Sequence, residues 1–471
     1  MRIFLTVMVV FAFTACDQVV FDIPADLNEG GVNQKGYFVL NVSNPPSTRT
    51  SGNQTDFGSA KESEISSIMV VLTDTTGIII SSFQPAFNKG VTVKFPVETG
   101  TYDVYALINK PDNVIVTKDD NIERVIDVAA AADAASGYKG GVFFMVNQRN
   151  SKAEKAGVSI TINASHSAAK PAEAFIYVDR VACKILDMTT TPDITKLKTA
   201  TGGVINHVVV MGLAPLNVNK QFNFIQTWND ANADGIQLQE DVLSTPLYPG
   251  TGLVTNQYFY NIETYATIEK DEHEEIVGIV DETVGAGFFS KEPIYANENR
   301  PTIIANGGSN ISAGRGETTG VIYKVQTKKD ENSFMGTFYT FKNVFYENLA
   351  AIQALQEFNG YELDKLPIPS LRVLGIKVYQ NGIMYYTYFI RDPNVAHQYL
   401  GKDYYGVFRN STYQLAISSL SALGDDVPGG AVVDPSLPGE SGNPPIEAED
   451  TFLQVSVVVN KWILNTLNIT F

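Results

Sequence analysis

The chain ends on a pattern that cannot stand alone in water. Residues 452–459 (FLQVSVVV) place Val455, Val457 and Val459 on one face of a strand. Residues 462–471 then place Ile463, Leu467, Ile469 and Phe471 on one face, behind Trp462, with Thr466, Asn468 and Thr470 opposite. Before this pair, residues 424–450 hold five prolines, five glycines and seven Asp or Glu, with no Lys or Arg. Such a segment cannot build a core and reads as an extended linker. An amphipathic strand pair behind a linker needs a sheet to join, because an exposed apolar edge aggregates. Two destinations are open. The pair folds back on the chain's own second domain, or it adds to the sheet of another molecule through main-chain hydrogen bonds.

The rest of the chain is dominated by short strand patterns. Residues 67–73 and 78–83 flank the turn Asp74-Thr75-Thr76-Gly77, as a hairpin would. Residues 91–97, 100–109, 141–146 and 158–162 also read as strands. Residues 121–136 are Ala-rich and predict a helix. This gives a β-rich unit over 50–168, with a small polar stretch at 165–172 as boundary. A second unit over 169–423 opens with the strand 175–186. It adds strands at 204–211, 221–227, 257–263, 320–324, 371–379 and 383–390, and helical spacing over 343–358. The composition agrees: 22 Tyr, 26 Phe and 37 Gly favour strands and turns. The fold class is therefore all-β with a few short helices. With no fixed-period repeat, a solenoid or propeller is not expected.

The N-terminus carries an address. Arg2 precedes an eleven-residue run, 3–13, that is apolar except for Thr6. A bilayer span takes about 20 apolar residues, so this is the core of a signal peptide. The run ends in Phe13-Thr14-Ala15-Cys16, which resembles a bacterial lipobox. Cleavage there makes Cys16 the lipidated N-terminus; the plainer alternative is a secretory signal with an incidental cysteine. Residues 17–35 read as a tether, and 37–43 as a strand with Phe38, Leu40 and Val42 on one face. The following loop, 44–53, contains two prolines and Arg49 and is a site for proteolysis. If a protease cuts between Arg49 and Thr50, the strand before it can leave, and the apolar groove it vacates suits the C-terminal strand of a neighbour. Such a head-to-tail contact does not close on itself and propagates into a filament.

Charge and chemistry exclude other classes. With 34 Lys and Arg against 51 Asp and Glu, the net charge of −17 opposes binding to nucleic acid. Cys183 lies in an apolar strand pattern, and none of the four histidines forms a nucleophile motif with it, so it reads as an inert buried thiol. Asp230, Asn232, Asp234, Gly235 and Asp241 occupy positions 1, 3, 5, 6 and 12 of a Ca²⁺ loop. The last position is Asp instead of the bidentate Glu, and an Asx/Gly turn between strands explains the same residues. The glycine-rich 307–316 lacks the end of a P-loop and reads as a loop. Residues 271–275 read as a solvated acidic turn. No cofactor is otherwise expected.

Several segments together resemble one family, the fimbrillins of Bacteroidales-type (type V) fimbriae, and within it the shaft subunit of the short or minor fimbrium. They are the lipobox at Cys16, the Arg49–Thr50 bond, TYDVYALIN (101–109), YVDRVACKI (177–185), PIYANEN (293–299), FRNSTYQLAI (408–417), the acidic linker, and 457–471 with its Trp462. The resemblance implies two transthyretin-like β-sandwich domains and a C-terminal donor strand. It implies an outer-membrane lipoprotein precursor with a signal peptide at 1–16 and a propeptide at 17–49, cut after Arg49 by an Arg-specific protease. The mature chain would polymerise with copies of itself by strand exchange, the donor being 451–471. Accessory anchor and tip subunits would be partners, with host or bacterial surface receptors served by adhesion. The alternative is a surface glycan-binding outer-membrane lipoprotein of β-sandwich domains; it would have no need of a labile Arg49 loop or a detachable apolar tail.

Overall fold

The computed structural model describes residues 34–43, 55–57, 59–86, 92–112, 114–122, 125–127, 143–149, 154–190, 205, 207–219, 221–223, 225–229, 242–244, 259–260, 267–270, 276–281, 289–299, 303–306, 310–313, 318–397, 401–428, 453–463 and 469–470. Strands account for most of them. Helical turns are short and, among the described residues, lie between 349 and 382.

The first sheet has nine strands. Its path runs Ile469–Thr470, Lys35–Ser43, Ala172–Arg180, Met145–Asn147, Gly100–Ile108, Ile68–Thr73 and Ile79–Phe83. Phe95–Glu98 pairs with Lys35–Ser43, and Val158–Ile162 with Gly100–Ile108. The strand Ala172–Arg180 turns a corner. Its first part pairs parallel with Phe38–Ser43, and its last residues pair antiparallel with Met145–Asn147. The sheet curls until its ends meet: Phe95, beside Phe38, lies 5.7 Å from Phe83 on the far edge. One apolar face is thereby enclosed, built from Phe38, Leu40, Val70, Leu72, Val104, Ala106 and Ile176 among others. The alternation that buries these residues turns Val71, Tyr105 and Leu107 to the opposite face, under Val114 and Ile122.

Local chemistry fixes the turns. In the hairpin at 74–77, Asp74 Oδ1 accepts from Thr76 N (2.8 Å), Thr76 Oγ1 (2.7 Å) and Ile78 N (3.0 Å). Gly77 sits at φ +88°, where other residues strain. Asn147 is buried inside the sheet with its amide satisfied: it accepts from Ala106 N and donates to the carbonyls of Val104 and Ala156.

A second core lies between two further sheets. One runs Thr55–Phe57, Leu453–Ile463, Ser411–Leu420, Ala182–Asp187, Ile294–Asn297; the other runs His207–Leu216, Gly320–Lys328, Ile383–Phe389. Ile185, Tyr413, Leu415 and Val459 from the first meet Val210, Tyr323 and Met384 from the second. Beside this sandwich, Phe338–Phe341, Val344–Tyr346 and Ile376–Tyr379 form a small sheet. It packs Phe341, Ile376 and Val378 against the helical residues Ile352, Phe358 and Leu371.

Several expectations change here. The strand expected at 371–379 is a helix, Ile368–Val373, followed by the strand Ile376–Tyr379. A proline in its first turn and Gly375 at φ +77° just past its end are the helix signals that the apolar alternation masked. Helical spacing at 343–358 resolves into Val344–Tyr346 and then Leu349–Gln353, capped by the Asn348 side chain on Ala351 N. Within the helix expected at 121–136, Val125–Asp127 is a strand paired with Gln221–Asn223. The loop expected at 307–316 contains Asn310–Ala313, a strand on Ile303–Asn306. The linker starts later than its composition suggested. Asp425 exchanges backbone hydrogen bonds with Tyr385, and Asp426 accepts from Arg372 Nε (2.8 Å) and Val378 N (2.7 Å). Ala172–Arg180, expected beyond a boundary at 168, belongs to the first core.

Phe38 is fully buried in the first core. Replacing it by Ala in the uncut chain should lower the unfolding free energy measured in urea by about 3–5 kcal/mol. A loss below about 1 kcal/mol would contradict its place in that core.

Candidate functional site

The two chain ends form the candidate site. In the strand Lys35–Ser43, Phe38, Leu40 and Val42 face inward at 0%, 0% and 3% exposure. One edge of the strand pairs with Ala172–Tyr177. The other edge is shared: Lys35–Phe38 pairs with Glu98–Phe95, and Asn41 and Val42 pair with Thr470 and Ile469. Thus the residues read as a removable strand are a full member of the first sheet, and Ile469–Thr470 lies against them.

The C-terminal strand Leu453–Ile463 runs antiparallel along Ser411–Leu420, with a bulge between Ile417 and Ser419. Val459 is buried, and Val455 and Val457 pack against the second core, while Val458 faces outward. The face read from the sequence is therefore the face that packs. Of the two destinations considered, this structure has the strand on its own second sandwich. At its far end, Lys461, Trp462 and Ile463 pair in parallel with Thr55, Asp56 and Phe57.

Cys16, Arg49, Thr50, Leu467, Phe471 and the candidate calcium ligands Asp230, Asn232, Asp234 and Asp241 lie outside the described residues, as do 271–275. The strands flanking 230–241 pair antiparallel, with Asn229 opposite Val242, so strands and not helices border these residues. Among the described residues no group of three or more His, Cys, Asp or Glu could hold a metal ion. Cys183 is fully buried, and burial pushes its thiol far above the ordinary value, so it stays protonated and unreactive.

One feature was missed by the sequence reading: a buried polar seam where the two cores adjoin. Arg180 is 1% exposed and donates through Nε (3.1 Å) and Nη2 (3.0 Å) to the Glu62 carbonyl. The Glu62 carboxylate takes the Tyr295 hydroxyl (2.6 Å), Ser59 N (2.5 Å) and the Lys184 ammonium, 3.0 Å from Oε1. Deeper in, Arg409 forks onto Glu298 at 3.1 and 3.2 Å, and Asn410 donates to Asp179 at 2.7 Å. Three of the segments that carry the family resemblance, 177–185, 293–299 and 408–417, meet at this seam. The signal available in the sequence was a charged pair, Asp179-Arg180, inside an otherwise apolar strand; buried charges require partners.

Comparison with known proteins gives a family match to the C-terminal part of the chain. Residues 377–468 match the family profile described as major fimbrial subunit protein type IV, fimbrillin, C-terminal. The matched region spans the strands Ile383–Phe389, Ser411–Leu420 and Leu453–Ile463. The match covers about a fifth of the chain, at its C-terminal side. Among curated proteins no match is found. Solved structures similar to the chain include a candidate cell adhesion protein from Parabacteroides distasonis (14% identity, 92% of this chain and 98% of that one, TM-score 0.45). Another is a fimbrilin from Porphyromonas gingivalis (11% identity, 91% and 98%, TM-score 0.43). A third is a C-terminally truncated tip fimbrial protein from the same organism (12% identity, 91% and 100%, TM-score 0.37).

The seam has a pH signature. Burial alone raises the Glu62 pKa, but hydrogen bonds from Tyr295, Ser59 and Lys184 outweigh it, and the carboxyl is held below its ordinary value. A depressed folded pKa contributes stability above the unfolded carboxylate pKa of about 4.3, and that contribution is lost as pH falls through the folded value. Glu62→Gln should therefore lower the thermal midpoint at pH 7, and the gap to the parent should shrink as pH drops below about 4. A gap that stays constant down to pH 3 would contradict the assignment.

Proposed function

We propose that the protein is the polymerising subunit of a bacterial surface fimbrium, made as a lipoprotein precursor and assembled by strand exchange. The observation that carries this reading is the position of Lys35–Ser43. An integral strand of the first core is followed directly in sequence by the proline-bearing segment that contains Arg49.

In this account Cys16 carries the lipid that holds the precursor at the outer membrane. An Arg-specific protease cuts between Arg49 and Thr50, leaving 422 residues. The displaced strand takes Phe38, Leu40 and Val42 with it and opens the edge of Ala172–Tyr177. Covering three such side chains contributes roughly 5–9 kcal/mol in sum, so the vacated groove strongly favours a replacement. The C-terminal segment of a second copy has the required period-two apolar face. Its residues Val455, Val457, Val459, Trp462, Ile463, Leu467, Ile469 and Phe471 supply the donor set. The contact joins the head of one subunit to the tail of the next and continues indefinitely. Anchor and tip subunits of the same fold would end the polymer, and adhesion to host or bacterial surfaces would be its use. A calcium ion at 230–241 is needed for none of these steps.

Arg49→Ala should give cells that accumulate a longer, lipid-tethered chain, detected by intact mass, and show no fibres of this subunit by electron microscopy. Mature subunits of normal length from that variant would place the cut elsewhere. Fibres built from the uncut chain would overturn the exchange mechanism.

A further inference from the structure

The strands Gly320–Lys328 and Ile383–Phe389 pair antiparallel, with Gln326 opposite Ile383, and residues 329–382 stand between them. A hairpin connection normally takes only about two to five residues. The extra length folds into a unit with its own core. One face of the small sheet, carrying Phe341, Ile376 and Val378, is roofed by helical turns through Ile352, Phe358, Leu363 and Leu371. The roof does not close. It leaves a cavity of about 330 Å³ between Tyr339 and Val378 of the sheet and Leu349, Leu363, Leu366 and Ile368 of the roof. Tyr339, Leu349, Leu366 and Ile368 are therefore only partly buried.

We propose that this cavity binds a short peptide of a partner protein, with an apolar side chain in the cavity and a neighbouring lysine or arginine on Asp364. The wall is held in place before any ligand arrives. Gln353 Oε1 accepts from Leu363 N (2.8 Å), and its Nε2 donates to the Phe358 carbonyl (3.0 Å). At 330 Å³ the space lies at the small end of ligand sites and suits roughly one or two side chains.

Charge selects the occupant. Among the described residues that line the cavity, Asp364 is the only charged one. The basic residues of 341–379 are each taken by another carboxylate: Lys342 by Glu357 (2.6 Å), Lys365 by Glu362 (2.6 Å), Arg372 by Asp426 (2.8 Å) and Lys377 by Asp425 (3.1 Å). The cation for Asp364 is thus left to a partner. Gln380 and Asn381 also line the cavity. Each side-chain amide combines a carbonyl acceptor with an NH₂ donor, the complement of a main-chain N–H and C=O. An apolar space, one carboxylate and two amides together match a basic-apolar peptide. They match a free apolar molecule or an acidic peptide less well. The site does not depend on strand exchange.

Saturation-transfer NMR titrations of the full chain with capped dipeptides test this. Acetyl-Leu-Lys-amide should bind, with its leucine methyls most strongly saturated. Acetyl-Gly-Lys-amide should bind about tenfold more weakly or worse, since the apolar side chain is missing. Acetyl-Leu-Glu-amide should bind about threefold more weakly at low salt. Asp364 is exposed, so Asp364→Asn leaves the fold intact, and in that variant the Lys-over-Glu preference should vanish. No saturation of the Leu-Lys peptide, equal affinity for the two charges, or a preference that survives Asp364→Asn would overturn the proposal. Isopentylamine has the apolar group and the cation without main-chain amides; binding as tight as that of the peptide would give the site to small amines instead. Sedimentation velocity covers the remaining occupant. A dimer that the Leu-Lys peptide dissociates would assign the cavity to a second copy of the chain and overturn the partner peptide.

Discussion

A strand with one apolar face must have that face covered and its edges paired, and the two strands near the ends of this chain are where that requirement binds hardest. Phe38, Leu40 and Val42 complete the first core from a strand that is joined to the rest of the chain through the segment containing Arg49. Val455, Val457 and Val459 complete the second from a strand that arrives behind an acidic linker. Neither core is closed without its terminal strand. Under the proposed strand exchange, such a fold stores its assembly contact inside the monomer, because removing the N-terminal strand uncovers surface that a similar strand can cover.

The seam between the cores gives that arrangement a fixed frame. Ala172–Arg180 and Ala182–Asp187 are separated by Val181 alone, so the chain passes from one sheet to the next almost without interruption. Arg180, Glu62, Lys184 and Tyr295 bind this crossing on one side, and Arg409, Glu298, Asn410 and Asp179 on the other. A buried network of paired charges resists sliding more than it adds net stability. Under the proposed strand exchange, such a joint would hold the two ends of a subunit in a fixed relation along the polymer. In the proposed fimbria the −17 charge would make like-charged shafts repel one another.

Much of this was legible in the sequence. Period-two alternation located the strand at 100–108 and the face made by Val455, Val457 and Val459, while the apolar run at 68–73 and the aromatic run at 383–389 read as strands by composition. The Asp74–Gly77 turn was legible because it depends on one side chain and one glycine. Alternation names a face, however, and not the sheet that covers it. It could not decide between the tail's own second sandwich and another molecule. The boundary near 168 failed because Ala172–Arg180 runs straight on into the next strand with no turn residues to mark the change of core. The polar seam was hidden because Arg180 and Glu62, or Arg409 and Glu298, are brought together only by the completed fold.

The central claim is that the place left by Lys35–Ser43 is filled by the tail of another copy. Cryo-electron microscopy of fibres grown from the chain trimmed to Thr50 tests it directly. The account predicts continuous density beside Ala172–Tyr177 that traces to the C-terminal residues of the neighbouring subunit. A groove that is empty, or closed by residues of the same subunit, would contradict it.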